Sequence, residues 1–412
     1  MPSAAPAAPA APAVPGDTAE AGCASVVSIE GAFIPQGALH HGERAACSSL
    51  LHPIAGAEGS TVSVTLTAWG GAAPADLLVT DLLGGVRSSG EGLTSGGQVQ
   101  VTLDRAGEFL VVLSPSDADE LASGYALSVA CVSGCARPYT RYPLVLMHGM
   151  GGTDAYLDLV TYYFGVADAL SGAGYAVFTP AVDPYARSSV RSLDWAAHLE
   201  ALSDAGEGRR FNLIGHSQGG LDARYVASLL DEEGRVATVT TIGTPHRGTP
   251  VADVLSGVLD VSWLAEVTAE LLAEGLGVLL GAGGEQELTD SLDALGTGPM
   301  ASFNDAVPDR DDVYYASWAG VTCGLLESDC VRELGGEVVD PFLSAAHLLL
   351  RGLGEEGDGI VPLSSAQWGD FQGVLPADHL DEVGQLLGVT ADSFDHLGFY
   401  LGEAERLGGL GY

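Results

Sequence analysis

Near residue 137 the chain changes its hydrophobic period, and this change constrains its architecture more than any other feature. Upstream, from about residue 24 to 136, apolar and polar residues alternate. The run TVSVTLTAW sets Val62, Val64 and Leu66 on one face and Thr61, Ser63 and Thr65 on the other. QVQVTLD, EFLVVLS and YALSVACV repeat the pattern between Gly-rich turns such as SSGEGLTSGG. Short alternating strands at this spacing predict a β-sandwich. No residue in it stands out chemically, and His40, His41 and His52 read as surface residues. Downstream of CARPYTRYPLVLMHGMGG, strand-like runs alternate with helical ones. Residues 143–147 precede a helix near 155–171, 175–179 one near 190–205, and 211–214 one over about 220–233, before a strand at 237–242. Apolar strands joined by helical crossovers imply a parallel sheet covered on both faces. Its chemistry belongs at the carboxyl ends of the strands.

The expected fold class is therefore α/β, a mostly parallel sheet flanked by helices over residues 138–412, preceded by a small all-β sandwich over 23–137. Residues 1–22 contain the tract PAAPAAPAVPG, too rich in proline for helix and too poor in large apolar residues for a core, and read as a linker. The tract lacks the basic and apolar regions of a signal peptide, so a targeting segment is not expected within this chain. Hydrophobic residues make up 47% and charged ones 17%, which excludes a mostly disordered chain. No apolar run is long enough to predict a transmembrane helix. Acidic residues number 54 against 16 basic ones, every one of them arginine, for a formal charge of −38. That balance excludes nucleic acid as a partner and disfavours anionic membranes. It suits either a well-solvated surface or a salty medium that screens self-repulsion.

Six cysteines lie at 23, 47, 131, 135, 323 and 330, none in a Cys-x-x-Cys pair. Cys131 with Cys135, and Cys323 with Cys330, could each close a short loop. An even count in a chain that looks exported favours disulfides over buried thiols, while the connectivity stays open.

In a chain with 57 glycines a bare Gly-x-Ser-x-Gly carries little weight. GHSQGG at 215–220, however, ends a predicted strand and opens a predicted helix. Only that context makes the tight elbow that presents Ser217 at the sheet's edge, with the following helix N-terminus favouring negative charge there. A serine hydroxyl needs a base, and in such an elbow fold the acid and then the histidine follow it in chain order. Of the later histidines, His246 and His347 read as structural. His379, in the polar turn PADHLDEVGQLLG, is the first candidate, and His396 is the second. For the acid, Asp358 lies in a Gly-flanked turn expected directly before a strand. The oxyanion needs backbone donors, which Gln218 and Met150 of the loop HGMGG are placed to supply.

PLVLMHGMGG, GHSQGG followed by RYVASLL, VTTIGTPHRGT, YYASWAG, VVDP, GDGIV and HLDEVGQLLGV occur here in the order seen in secreted bacterial true lipases of family I, which the chain resembles over about residues 140–400. The resemblance implies an α/β-hydrolase fold, hydrolysis of triacylglycerols or other esters, and a triad of Ser217, Asp358 and His379. It also implies a structural calcium held by the carboxylates of Asp340 and Asp381 and the carbonyls of Gln385 and Val389, hard oxygen ligands that suit the ion. The alternative is an uncoordinated acidic turn. Three features depart from the family. Gly384 stands where Asn is usual, Cys323 and Cys330 lie unusually close, and the N-terminal sandwich is additional.

Between about 249 and 304 an apolar segment without basic residues is inserted. Leu264, Val267, Leu271 and Leu272 recur near helical spacing, with Glu266, Glu270 and Glu274 between them. This reads as a mobile lid facing uncharged ester droplets, or as a buried cap helix. The expected protein is a secreted serine hydrolase acting on water-insoluble esters, with an esterase or polyester depolymerase as the alternative. A secreted binding protein with a degenerate hydrolase domain is the alternative of another class. Whether a dedicated folding chaperone is a partner is left open.

Overall fold

The structure, a computed structural model, describes residues 26–116, 122–135, 138–152, 162–262, 270–274, 285–385, 387–391 and 393–412. The expected linker at 1–22 and Cys23 lie outside the described residues. Alternation first builds β1 (Val27–Glu30), β2 (Leu39–Arg44), β3 (Ser48–Gly56), β4 (Thr61–Trp69), β5 (Ala75–Thr80), β6 (Val86–Leu93), β7 (Gln98–Thr102), β8 (Gly107–Pro115) and β9 (Ser123–Ser133). They form two sheets, ordered β1-β3-β8-β5-β6 and β2-β9-β4-β7. Val62, Val64 and Leu66 of β4 meet Leu77, Val79, Phe109 and Val111 of the other sheet in one shared core. His52 is not at the surface as expected. It is fully buried, with Nδ1 2.8 Å from the Ala32 carbonyl and Nε2 2.7 Å from the Tyr125 hydroxyl. Satisfying both ring nitrogens is what permits that burial. His40 is half-buried and His41 exposed.

The second sheet comprises β10 (Leu144–Met147), β11 (Val177–Phe178), β12 (Phe211–His216), β13 (Val236–Ile242), β14 (Tyr314–Gly320) and β15 (Asp370–Leu375). Its order is β11-β10-β12-β13-β14-β15, and every pairing is parallel. Helices α1 (Val166–Ala173), α2 (Ser188–Asp204), α3 (Gln218–Tyr225), α4 (Pro250–Leu255), α5 (Glu285–Ala294), α6 (Thr297–Ala306), α7 (Ser328–Glu333), α8 (Ser344–Gly352), α9 (Leu363–Ala366) and α10 (His396–Gly409) accompany it. Strand alternation sorts them onto two faces. Leu144, Leu146 and Ile214 pack with Leu170 of α1 and Tyr400 and Leu407 of α10. Val145, Met147 and Leu213 pack with Trp195 and Leu199 of α2 and Ala223 of α3. The chain therefore has an α/β-hydrolase sheet.

Differences from expectation are local. Of the helix expected near 155–171, residues 155–161 lie outside the described residues, and the described helix starts at Val166. The helix expected from about 220 begins at Gln218 and passes into a π turn at Val226–Leu230. Of the expected lid, Leu264, Glu266 and Val267 lie outside the described residues. Leu272 is buried against Val251, Val254 and Leu343, whereas Leu271 is exposed. Both close cysteine pairs, Cys131–Cys135 and Cys323–Cys330, are disulfides. Among the described residues no helix is long and apolar enough to cross a membrane.

Candidate active site

β12 ends at His216, and Ser217 turns the chain into α3 with φ 54° and ψ −127°. A non-glycine residue at positive φ persists only when its surroundings over-determine it. The neighbouring glycines show how. A Cβ on Gly219 would lie 2.1 Å from the Met147 carbonyl oxygen, and one on Gly215 would lie 2.6 Å from the Gly219 backbone. One on Gly220 would lie 2.1 Å from Thr244 Oγ1. The glycine spacing of GHSQGG is thus a demand of close strand–helix packing.

The elbow holds Ser217 Oγ 3.0 Å from His379 Nε2, while His379 Nδ1 is 2.7 Å from Asp358 Oδ2. The other Asp358 oxygen accepts the Ile360 and Val361 N–H groups at 2.8 and 2.7 Å, and the His379 N–H donates to the Asp358 carbonyl. The structure thus brings these three residues together from segments far apart in sequence. Asp358 does not directly precede a strand as expected. Its carboxylate folds the chain back through those two N–H groups, so a lone bridge (Gly357 with Pro362) and α9 intervene before β15. His246, His347 and His396 are buried with other partners, respectively Thr241, Glu327 and the Phe164 carbonyl.

Met150 lies in the turn after β10, and Gln218 is the first residue of α3, where backbone N–H groups have no acceptor within the helix. The loop is braced by residues the sequence reading passed over. Fully buried Arg191 donates from Nε to Asp222 Oδ2 at 2.7 Å, from one terminal nitrogen to the Gly149 carbonyl at 3.2 Å, and from the other to the His148 carbonyl. Trp195 Nε1 also donates to Asp222, at 3.1 Å. Burial raises the pKa of Asp222, with Arg191 opposing that shift. Burial and the Arg191 charge push His148 down to about 3. His148 Nε2 can then accept the Val182 N–H while Nδ1 donates to the Gly149 carbonyl. Arg191 and Asp222 each stand among other charged residues of their helices, so nothing in the sequence marked them as a pair.

A second carboxyl group adjoins the three residues. Glu382 Oε2 lies 2.9 Å from His216 Nε2 and 3.7 Å from His379 Nδ1. Gly243 and Gly320 make room for it, since a Cβ at either would fall 2.0 or 2.5 Å from a Glu382 oxygen. Burial and the nearby Asp358 charge push Glu382 well above the usual carboxylate range, while burial and His379 push His216 well below its usual value. Glu382 and His216 thus share one hydrogen bond, and His216 Nδ1 lies 2.7 Å from the Tyr162 hydroxyl. His216, His379 and Glu382 have ligand atoms within 4.8 Å of one another, but both nitrogens of each ring are already engaged, so the spacing serves hydrogen bonding.

Beside this site, Asp340 Oδ1 accepts the Phe342 N–H, and Asp381 Oδ2 accepts the Ala391 N–H. Asp378, also missed in the sequence, accepts the N–H groups of Asp340, Leu380 and Asp381 at 2.7 to 2.9 Å. One carboxylate thus joins the two segments. Burial, Asp378 and Asp340 push Asp381 up to about 7. Burial, Asp378 and Asp381 push Glu337 up to about 8. Glu337 Oε1 accepts the Thr322 hydroxyl, whereas its buried Oε2 has no hydrogen-bond partner among the described residues. The Gln385 side chain donates to the Tyr162 carbonyl, and Val389 is exposed further along the loop. Gly384 has φ 71°, and a Cβ there would lie 2.3 Å from His396 Nε2, so the buried imidazole explains the glycine.

The parallel sheet and its serine elbow define an α/β-hydrolase, and residues 142–282 match the family of that fold. The triacylglycerol lipase of Vibrio cholerae is 32% identical over 288 residues, spanning 65% of this chain and 88% of its own. That of Pseudomonas fragi is 29% identical over 290 residues, spanning 65% and 96%. Among solved structures, the mature Bacillus licheniformis lipase BlEst2 is 24% identical and covers 61% of this chain and 89% of its own, with a TM-score of 0.45. The chain belongs to the triacylglycerol lipase family of α/β-hydrolases. It is a carboxylic ester hydrolase.

Proposed function

We propose that this chain is a triacylglycerol lipase working through an acyl-enzyme on Ser217. The observation that carries this reading is the line from Ser217 Oγ to His379 Nε2 at 3.0 Å and from His379 Nδ1 to Asp358 at 2.7 Å. Ser217 Oγ attacks the ester carbonyl carbon as its proton passes to His379 Nε2, and Asp358 holds the ring and stabilises the imidazolium. The oxyanion is received by the backbone N–H groups of Met150 and Gln218. The C–O bond then breaks, and the departing alcohol takes the proton from His379. Water, deprotonated by the same nitrogen, then attacks the acyl carbon, and the bond to Ser217 Oγ breaks as that oxygen takes the proton back from His379, releasing the fatty acid. Water-insoluble esters are favoured as substrates by the apolar segment around α4–α6, which adjoins Gln218 through Ser291 of α5 at 3.1 Å.

Calcium fits the second cluster. Asp340, Asp378, Asp381 and Glu337 gather carboxylates, and one fully buried Glu337 oxygen has no partner among the described residues. Hard oxygen donors under mutual repulsion suit that ion. Asp340 and Asp381 would hold it with the carbonyls of Gln385 and Val389, and when bound it supplies charge neutralisation that fixes the His379 loop. The disulfides Cys131–Cys135 and Cys323–Cys330 support secretion. We also place the boundary between a β-sandwich unit and the catalytic unit near residues 137–138, after a linker at 1–22.

The test is Ser217→Ala assayed on soluble and emulsified esters of increasing acyl length. Loss of at least 99% of activity with unchanged melting, together with faster wild-type turnover of emulsified long-chain esters, is expected. Activity surviving in Ser217→Ala removes the nucleophile assignment. Wild-type turnover confined to soluble short esters removes the lipase reading in favour of an esterase.

A further inference from the structure

We propose that the N-terminal β unit is a fixed brace on the catalytic sheet, docked through Glu108 so that it staples the starting ends of β10 and β12. Glu108 is the second residue of β8 and is almost completely buried. Its Oε1 accepts from Arg141 Nε and a terminal Arg141 nitrogen, each at 3.0 Å. Its Oε2 accepts from Arg209 Nε, also at 3.0 Å. One carboxylate of the β unit is therefore held between two guanidinium groups of the catalytic unit, a charge-assisted arrangement with fixed directions.

The positions of the two arginines give the clamp its meaning. Arg141 stands just before β10 and Arg209 just before β12, and these strands pair in parallel, with Leu144 opposite Asn212. Their far ends carry the HGMGG loop and Ser217. The brace thus grips the two strands that lead to the HGMGG loop and Ser217, at the strand ends opposite the site. Further contacts follow the same junction. Arg209 also reaches Glu30 of β1 at 2.8 Å, and Arg105 donates to the Glu207 carbonyl at 3.1 Å. The Arg141 guanidinium lies 3.7 Å from the Phe33 ring centroid, and Leu83 fills the space beside Gly206. The Arg141 N–H donates to the carbonyl of Tyr412, so the last residue meets the same point. In a chain with 16 basic residues against 54 acidic ones, three arginines committed to one junction mark a specific interface.

The experiment uses the full chain and its Glu108→Gln, Arg209→Gln and doubly substituted forms, followed by calorimetry and amide hydrogen exchange. The wild type should melt in one cooperative transition. Glu108→Gln should melt about 6–12 °C lower or in two transitions. Amides at the starts of β10 and β12 should lose protection while those of β4 and β9 keep theirs. The double variant should melt higher than the sum of the two single shifts implies, because both substitutions break the Glu108–Arg209 pair while each also loses a contact of its own. Arg87→Gln, which breaks ion pairs with Asp81 and Asp104 inside the β unit, should leave the transition single. A Glu108→Gln protein melting within about 2 °C of wild type, with unchanged exchange at β10 and β12, would overturn the brace. So would lost protection confined to the β unit, or strictly additive effects of the two substitutions.

Discussion

At the scale of single residues, Ser217 is held at positive φ by glycines on either side, so the proposed nucleophile is fixed by packing before any substrate arrives. The opposite wall depends on Arg191, whose planar fork reaches Asp222 and two carbonyls of the HGMGG loop together. Lysine keeps the charge but not the fork. Arg191→Lys should therefore lower kcat roughly 10²-fold on a soluble ester, the scale of losing one oxyanion donor, with KM changed much less. Steady-state kinetics beside a melting curve checks this. Wild-type kcat in a folded Arg191→Lys protein would mean that the loop holds its shape unaided. Neither Arg191 nor Asp222 could be assigned from sequence, because a buried ion pair is visible only when both partners are placed. Ser217 could be singled out there, because its signal is local: an apolar strand, two small residues and a helix in succession.

Among the elements, the loop from Asp378 to Ala391 carries the most consequence. It bears the proposed base, and Asp378 ties it to the segment at Asp340. A calcium ion between Asp340 and Asp381 would relieve carboxylates that repel one another, contributing about 2.7 kcal/mol at a hundredfold excess over its Kd. Chelation should accordingly lower the melting temperature and the activity together. Calcium should restore both better than magnesium, which demands a tighter octahedral shell. Asp340→Asn should reproduce the chelated state with Ser217 untouched. Melting curves with and without chelator decide the matter, and an unchanged melting temperature after exhaustive chelation would remove the ion. Gly384 belongs to this scale as well. Its glycine follows from the ring of His396, which comes from a helix later in the chain, and no reading of the loop alone contains that reason.

For the whole molecule, charge dominates. With 54 acidic residues and 16 arginines, most carboxylates have no cation to pair with, and the folded state concentrates their repulsion. Raising salt from about 0.05 to 1 M shortens the screening length to about 3 Å, and the melting temperature should rise across that range. Surface ion pairs such as Arg187–Asp290 weaken in the same range, but each contributes at most about 1 kcal/mol. A melting temperature that falls with added salt would show that specific pairs outweigh the net charge.

Residue order by itself determined whatever depends on neighbours along the chain. The two periods separate alternating strands from strand–helix units, and Gly-x-Ser-x-Gly after a buried strand marks an elbow. The close cysteine pairs are short enough to close their loops, as they do. Tertiary structure alone decided what depends on distance through space. It placed Glu382 against His216 and His379, buried His52 beside Tyr125, and set Glu108 between Arg141 and Arg209. Backbone geometry and hydrophobic period act over a few residues and leave a local trace. A buried polar group must find its partner wherever the fold brings one, and that partner leaves no mark in the sequence around it.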